Sequence, residues 1–322
     1  MDAIVKNEIL ETRGIKKWFP IRGRKDSFIK AIDGVSFKVN RGETLGIVGE
    51  SGCGKSTLCR VLNRLYQLTE GEILFNGEDI TNLGRKKLQP LRDKMKMIFQ
   101  DPYETLDPRM TVREIIEEPL LIRKTFRDKK LRHQRILEVM DTVGLSGEYL
   151  DRYPHEFSGG QRQRIGIARA IVQQPELIIC DEPVSALDVS IRAKIINLLK
   201  NLQKSMGLTY LFISHDLGVV KHISDRIAVM YLGKIVELTD KRELYAKPVH
   251  PYTKALLSSI PHFKTRREKK FILTGEIPSP ANPPPGCRFC TRCQYVEPRC
   301  KKEEPALREI SPGHEVACHF VE

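Results

Sequence analysis

Gly49-Glu50-Ser51-Gly52-Cys53-Gly54-Lys55-Ser56-Thr57 fits the pattern G-x-x-x-x-G-K-[ST], and its reading decides the fold. An apolar run from Thr44 to Val48 precedes it, and a helix-like run from Leu58 to Tyr66 follows. This context predicts a strand that delivers the chain to a glycine-rich turn and then a helix. In such a turn the backbone N–H groups face inward and the helix N-terminus adds positive dipole. Glycines let the backbone approach an anion without a Cβ in the way. Lys55 is then placed to reach the β- and γ-phosphates of a nucleoside triphosphate, and the Ser56 hydroxyl to ligate Mg²⁺. No N-K-x-D guanine-reading motif occurs in the chain, which weighs against a GTPase.

Upstream of the loop, residues 8–48 alternate apolar and polar positions, with turns expected at Ser27, Asp33-Gly34 and Arg41-Gly42. The aromatic pair Trp18-Phe19 lies in this strand-rich stretch, where an aromatic ring can stack on adenine or simply pack in the core. Downstream, Gly71 to Phe75 reads as a strand ending in a hairpin-type Asn76-Gly77 turn, and Lys94 to Phe99 as a strand ending at Gln100. The pattern from Pro102 to Tyr153 is helical, with Val112 to Leu121 and Lys130 to Val143 as helices and Gly144 as a stop. Ser158 is a candidate N-cap for a helix over Gln161 to Gln173. Glu176 to Glu182 is an apolar strand that ends in two carboxylates, Asp181 and Glu182. A helix (Val189 to Met206), a strand (Thr209 to Ile213), His215-Asp216 and strands at Ile227 to Tyr231 and Lys234 to Leu238 follow. Strands alternating with helices predict an α/β fold: a parallel sheet with crossover helices, preceded by an antiparallel β-subdomain.

The chain has 322 residues, 40% hydrophobic and 30% charged, enough for a substantial core and one large domain plus something smaller. The N-terminus lacks a signal-peptide pattern and no apolar run approaches bilayer length, which predicts a soluble, cytosolic chain that reaches a membrane only through a partner. The net charge of +13 gathers at Arg123 to Arg135 and Lys264 to Lys270. Such clusters attract nucleic acid or anionic lipid, or merely solvate helix faces and a linker. No aromatic-rich motif interleaves with them, so no nucleic-acid partner is expected. Prolines accumulate over residues 260–286, the mark of an extended linker. Beyond it, Cys287, Cys290, Cys293, Cys300 and Cys318 crowd the last 36 residues, whereas Cys53, Cys59 and Cys180 stand in apolar or motif settings. Without an export signal, the terminal cluster argues for metal rather than disulfides.

Six motifs in order carry a resemblance. The loop Gly49 to Thr57, Gln100 after a strand, Phe157-Ser158-Gly159-Gly160-Gln161, Asp181-Glu182, Ser185-Ala186-Leu187-Asp188 and His215 together resemble the ATP-hydrolysing subunit of an ABC transporter, over about residues 8–240. Phe157 stands where that family more often has Leu. The resemblance implies an ATPase of the phosphate-loop fold, with domain 1–260 holding a helical subdomain at about 102–157, and a small Cys-rich extension at 261–322. It implies that Gly49, Ser51, Gly52, Cys53, Gly54, Lys55, Ser56 and Thr57 cradle ATP, that Phe19 stacks on adenine, and that Ser56, Gln100 and Asp181 serve Mg²⁺. Glu182 is the implied general base, its neighbouring carboxylate and limited solvation favouring proton uptake. His215 and Gln100 are implied sensors of the γ-phosphate. Ser158, Gly160 and Gln161 are implied to meet ATP held by a second nucleotide-binding subunit, identical or related, in a head-to-tail dimer, and Asp188 is a further implied nucleotide-binding residue.

The tail narrows the resemblance. Pro248-Val249-His250-Pro251-Tyr252-Thr253, Gly275 to Pro280 and Gly286-Cys287 resemble the dipeptide and oligopeptide importer branch, which also includes nickel and oligosaccharide importers. The implied partners are transmembrane permease subunits, gripped through the helical insert, and indirectly an extracytoplasmic substrate-binding protein. The implied location is peripheral, at the cytoplasmic face of a prokaryotic membrane. In that branch the recurrent cysteines correspond to Cys287, Cys293, Cys300 and Cys318, implying a 4Fe-4S cluster, with Cys290 a departure and Zn²⁺ the rival metal. A soluble ABC-type ATPase acting on nucleic acid or ribosomes is the alternative. Such proteins commonly carry two cassettes or a long coiled coil, and this chain has neither.

Overall fold

The computed structural model describes residues 7–23, 26–123, 126–259 and 275–321. It divides into two compact units, one formed by the chain up to Asn82 and from Phe212 onward, the other by Leu83–Leu211.

The first unit begins with two long strands, β1 (Glu8–Pro20) and β2 (Phe28–Asn40), then β3 (Thr44–Val48), the helix α1 (Lys55–Leu62), β4 (Glu70–Phe75) and β5 (Glu78–Asp79). The strands β2-β1-β4-β5 form an antiparallel sheet. Its β2 buries alternate residues, Val35, Phe37 and Val39, and leaves Ser36 and Lys38 exposed, the pattern of a sheet with one wet face. Asp33-Gly34 is not the turn that the sequence suggests. It lies inside β2, where Ile15 pairs with Val35 but Lys16 pairs with Asp33, so Gly34 is the extra residue of a bulge. Its φ of +81° is what that bulge needs from a glycine. Asn76-Gly77 is a turn as expected, both residues having positive φ.

The second unit holds α2 (Arg85–Lys94), β6 (Met95–Ile98), α3 (Pro102–Thr105), α4 (Val112–Arg123), α5 (Lys129–Thr142), α6 (Gly159–Ile171), β7 (Leu177–Asp181) and α7 (Val189–Met206). Here β6 and β7 pair in parallel, and every residue of β7 is buried. A strand covered on both faces reads as a continuous apolar run, which is how Leu177 to Cys180 reads. The basic stretch from Arg123 behaves as paired surface: Arg123 binds Asp93 at 2.6 Å, Arg132 binds Glu117 at 2.7 Å, and Arg135 donates to the Val172 carbonyl at 3.1 Å. The second basic cluster, Lys264 to Lys270, lies outside the described residues.

The strand β8 (Thr209–Ser214) returns the chain to the first unit. There follow α8 (Leu217–Ile223), β9 (Arg226–Tyr231), β10 (Lys234–Asp240), α9 (Lys241–Ala246), α10 (Pro251–Ser258), α11 (Pro298–Lys302), β11 (Arg308–Ser311) and β12 (His314–Val316). β3 runs parallel to β9, but β9-β10, β10-β12 and β12-β11 are antiparallel, so this sheet is mixed rather than purely parallel. The reason is the connection from β9 to β10. Leu232-Gly233, at φ +44° and +81°, is a two-residue hairpin turn, and only antiparallel neighbours can be joined so briefly.

The C-terminal residues are built into this unit. Glu237 of β10, fully buried, accepts from the amides of Val249 and His250 at 2.9 Å and pairs with His314 of β12 at 2.9 Å. Burial alone raises the Glu237 pKa, yet these hydrogen bonds outweigh it and hold the carboxyl below its ordinary value.

Candidate nucleotide-binding site

In the first unit β3 ends at Val48 and the chain turns at once into the loop. A Cβ on Gly49 would stand 2.1 Å from the Met230 carbonyl oxygen, and one on Gly54 2.1 Å from that of Ala31. Gly54 also has φ +108°, so both positions are closed to any other residue. Because Gly54 takes the N-cap position of α1, the cap residue has no side chain to bond the helix's first amides. Lys55, 5% exposed, donates from Nζ to the carbonyls of Gly49 at 2.8 Å and Glu50 at 3.0 Å. Ser56 and Thr57 lie in the first turn of α1. Cys53 is buried, with its Sγ 3.8 Å from Lys55 Nζ, and burial pushes its thiol pKa up. Cys53 is therefore a packed thiol of the loop.

Two aromatic candidates sit on β1. Trp18 donates from Nε1 to Asp33 at 3.1 Å, and Phe19 meets Tyr66 edge-on at 5.6 Å. Both rings are half-buried. His215 is exposed directly after β8, and the next residue, Asp216, caps α8 by accepting from the Val219 amide at 3.2 Å.

In the second unit Asp181 closes β7, 4% exposed, and Glu182 follows it, 9% exposed. Glu182 has φ +48°, a left-handed backbone that costs a non-glycine residue about 1 kcal/mol. The turn is held by Ser185, whose amide and hydroxyl both donate to the Glu182 carbonyl, at 3.2 and 3.1 Å. Gln100 is exposed, two residues beyond β6.

The signature stretch forms the N-terminus of α6. Ser158 Oγ accepts from the Gln161 amide at 3.4 Å, and Gln161 Oε1 accepts from the Ser158 amide at 3.0 Å, a reciprocal capping box. Gly160 lies against α7, where a Cβ would come 2.4 Å from Ile191 Cγ2. Phe157 is buried and packs edge-on against Tyr149 at 5.6 Å, so the family's more usual Leu is replaced by another apolar plug. Asp188 caps α7 by accepting from the Ile191 amide at 2.9 Å. Thus Ser158, Gly160 and Gln161 stand together at one helix start, and Asp181 and Glu182 at one strand end.

The sequence reading missed the residues that hold the loop from behind. The Glu50 amide donates to the Tyr252 hydroxyl at 2.9 Å, and the Glu50 carboxylate binds Arg292 through two bonds of 2.6 and 3.1 Å. Tyr252 had been visible only as part of a C-terminal sequence likeness. Arg292 carried no signal, since 242 residues separate it from Glu50.

The five terminal cysteines are all free thiols. The Cys287 amide donates to the Cys300 carbonyl at 2.8 Å and the Cys290 amide to the Cys287 carbonyl at 3.0 Å, so the backbone brings them near one another. Burial raises the Cys287 pKa to about 12, and Cys290, Cys300 and Cys318 add to the effect. Among the described residues no three His, Cys, Asp or Glu side chains stand ready to hold a metal ion.

The chain resembles known proteins along nearly its whole length. Residues 32–185 match the ABC transporter family, and residues 236–300 match the oligopeptide/dipeptide transporter C-terminal region. The chain is 56% identical to the oligopeptide transport ATP-binding protein AppF of Bacillus subtilis, over 99% of each chain. It is 50% identical to the oligopeptide transport ATP-binding protein OppF of Salmonella typhimurium, over 99% of this chain and 98% of that one. A dimeric post-hydrolysis structure of the ATP-binding cassette MJ0796 with ADP and Pi aligns with 72% of this chain and 99% of its own, at TM-score 0.65 and 30% identity. No helix among the described residues is long and apolar enough to cross a membrane. The chain belongs to the ATP-binding subunits of ABC transporters, in their oligopeptide and dipeptide branch, and is an ATPase.

Proposed function

We propose that this ABC transporter ATPase energises the import of oligopeptides or dipeptides through permease subunits. The observation that carries the cargo class is the C-terminal likeness to oligopeptide and dipeptide transporters, in a region that also packs on the phosphate loop through Tyr252 and Arg292. Residues 1–260 are taken as the ATPase domain, and 261–322 as its extension.

In this reading the loop amides and Lys55 bind the phosphates, and Phe19 stacks on adenine. Ser56, Gln100 and Asp181 would hold Mg²⁺, which would supply charge neutralisation on the phosphates. Glu182 accepts the proton of the attacking water, since a carboxylate is the base at hand beside Asp181. His215 contacts the γ-phosphate and reports its loss. Ser158, Gly160 and Gln161 present a helix N-terminus, with Asp188 beyond, to ATP on a second nucleotide-binding subunit, as the dimeric form of the related cassette suggests. Two bound ATP molecules hold the pair, and hydrolysis releases it, a population shift driven by one phosphate. The chain then sits peripherally on the cytoplasmic face, held by its permease partners.

A 4Fe-4S cluster on Cys287, Cys293, Cys300 and Cys318 belongs to the same reading. Its support is the mutual proximity of reduced, part-buried thiols, and a cluster spreads its thiolates wider than one ion does. Its role is to stabilise the extension, since phosphoryl transfer needs no electrons. Anaerobic purification with iron, sulfide and zinc analysis tests it: about four irons per chain supports the cluster, and stoichiometric zinc without iron refutes it. For the transport function, the chain is co-purified with its permease subunits in vesicles. Peptide-stimulated ATP hydrolysis is the expected result; stimulation only by nickel or an oligosaccharide overturns the cargo class.

A further inference from the structure

Glu50, the second residue of the phosphate loop, is held on every side. Its carbonyl accepts from Lys55 Nζ at 3.0 Å, its amide donates to Tyr252 Oη at 2.9 Å, and its carboxylate takes the Arg292 fork at 2.6 and 3.1 Å. The Arg292 side chain is 6% exposed and that of Glu50 23%, so water screens the pair only from one side. Arg292 is itself fixed. Its amide donates to the Phe289 carbonyl at 3.0 Å, and the Phe289 ring packs among Tyr231 at 5.3 Å, Tyr252 at 5.4 Å and His250 at 5.9 Å.

We propose that Arg292 is a positioning residue for ATP, acting through Glu50: it neutralises and orients a carboxylate that would otherwise oppose the phosphates. The claim rests on the reading that the loop binds ATP. The loop's purpose is to attract a polyanion, yet it carries a carboxylate next to Gly49. An unpaired carboxylate in a partly desolvated loop repels phosphate and is free to swing toward the anion-binding amides. The planar guanidinium answers both difficulties, because two parallel bonds fix the carboxylate plane as well as its charge. The extension therefore contributes to nucleotide affinity without touching the nucleotide.

ATP affinity of the full chain is measured by calorimetry in a Glu182→Gln background, with thermal melting as a check on folding. Arg292→Ala is expected to weaken ATP binding about 10-fold or more, and Arg292→Lys less. Adding Glu50→Gln to Arg292→Ala is expected to recover most of the loss, because the repelling charge is gone. A purely structural role for Arg292 would show no such recovery. Unchanged ATP affinity in folded Arg292→Ala, or no recovery in the folded double variant, overturns the proposal. Should Arg292→Ala not fold, Arg292→Gln with and without Glu50→Gln decides by the same two criteria. A parent chain that does not bind ATP would instead sink the reading of the loop.

Discussion

Among the described residues, the helix N-termini of α1 and α6 are both suited to anions and are finished in opposite ways. At α1 the cap is Gly54, left-handed and without a side chain, so the cap residue offers no side-chain oxygen to the first turn. At α6 the cap is Ser158, and Gln161 reaches back to close a box that satisfies two donors internally. An uncapped helix start buys little stability by itself and gains it when an anion arrives. A self-capped start is stable alone, and an anion there must exchange with existing hydrogen bonds. The first geometry suits a resident nucleotide. The second suits a contact that is made and broken in each cycle.

Glu182→Gln should produce the largest effect while leaving both helix starts intact. The amide keeps the shape of the acid without its basicity, so turnover should fall about 10²–10⁴-fold with ATP binding retained, as read by steady-state hydrolysis and nucleotide binding. Near-normal turnover would remove Glu182 as the base. Gly54→Ala attacks the open start. Its Cβ meets the Ala31 carbonyl at 2.1 Å with φ at +108°, so ATP affinity should drop about 100-fold or more. Retained affinity would mean the loop does not depend on an open helix start. Ser158→Ala attacks the closed start and should cost about 1 kcal/mol in unfolding free energy, while ATP binding to the chain's own loop stays unchanged. A loss of ATP affinity as large as that of Gly54→Ala would erase the distinction between the two.

Much of this was legible in the sequence because the signals are local. The helix α7 runs from Val189 to Met206 as its periodicity predicts, ending at Gly207 with φ +65°. The S-x-x-Q spacing of Ser158 and Gln161 states its own capping box. The misreadings share one cause, a backbone conformation that more than one structure can use. Asp33-Gly34 offers positive φ, which serves a bulge as well as a turn. Leu232 at φ +44° hid the hairpin that makes the sheet mixed, since Leu is no signal for a left-handed turn. The strained φ of Glu182 was hidden likewise. The Glu50–Arg292 pair lay beyond any local pattern, because its two halves meet only when the extension is folded.

The central claim is that each ATP is shared, bound by the open helix start of one chain and met by the closed start of another. Mixing two disabled chains tests it most directly. Lys55→Ala loses the phosphate-binding ammonium, and Ser158→Arg blocks the signature helix start while its own loop still binds nucleotide. Each alone should hydrolyse ATP at under about a tenth of the parent rate. In a shared site, the mixed pair joins the intact loop of Ser158→Arg to the intact signature of Lys55→Ala, so hydrolysis should reappear on mixing and peak near equal proportions. If cross-linking shows that mixed pairs form and activity stays at the sum of the two variants at every ratio, the shared site is contradicted.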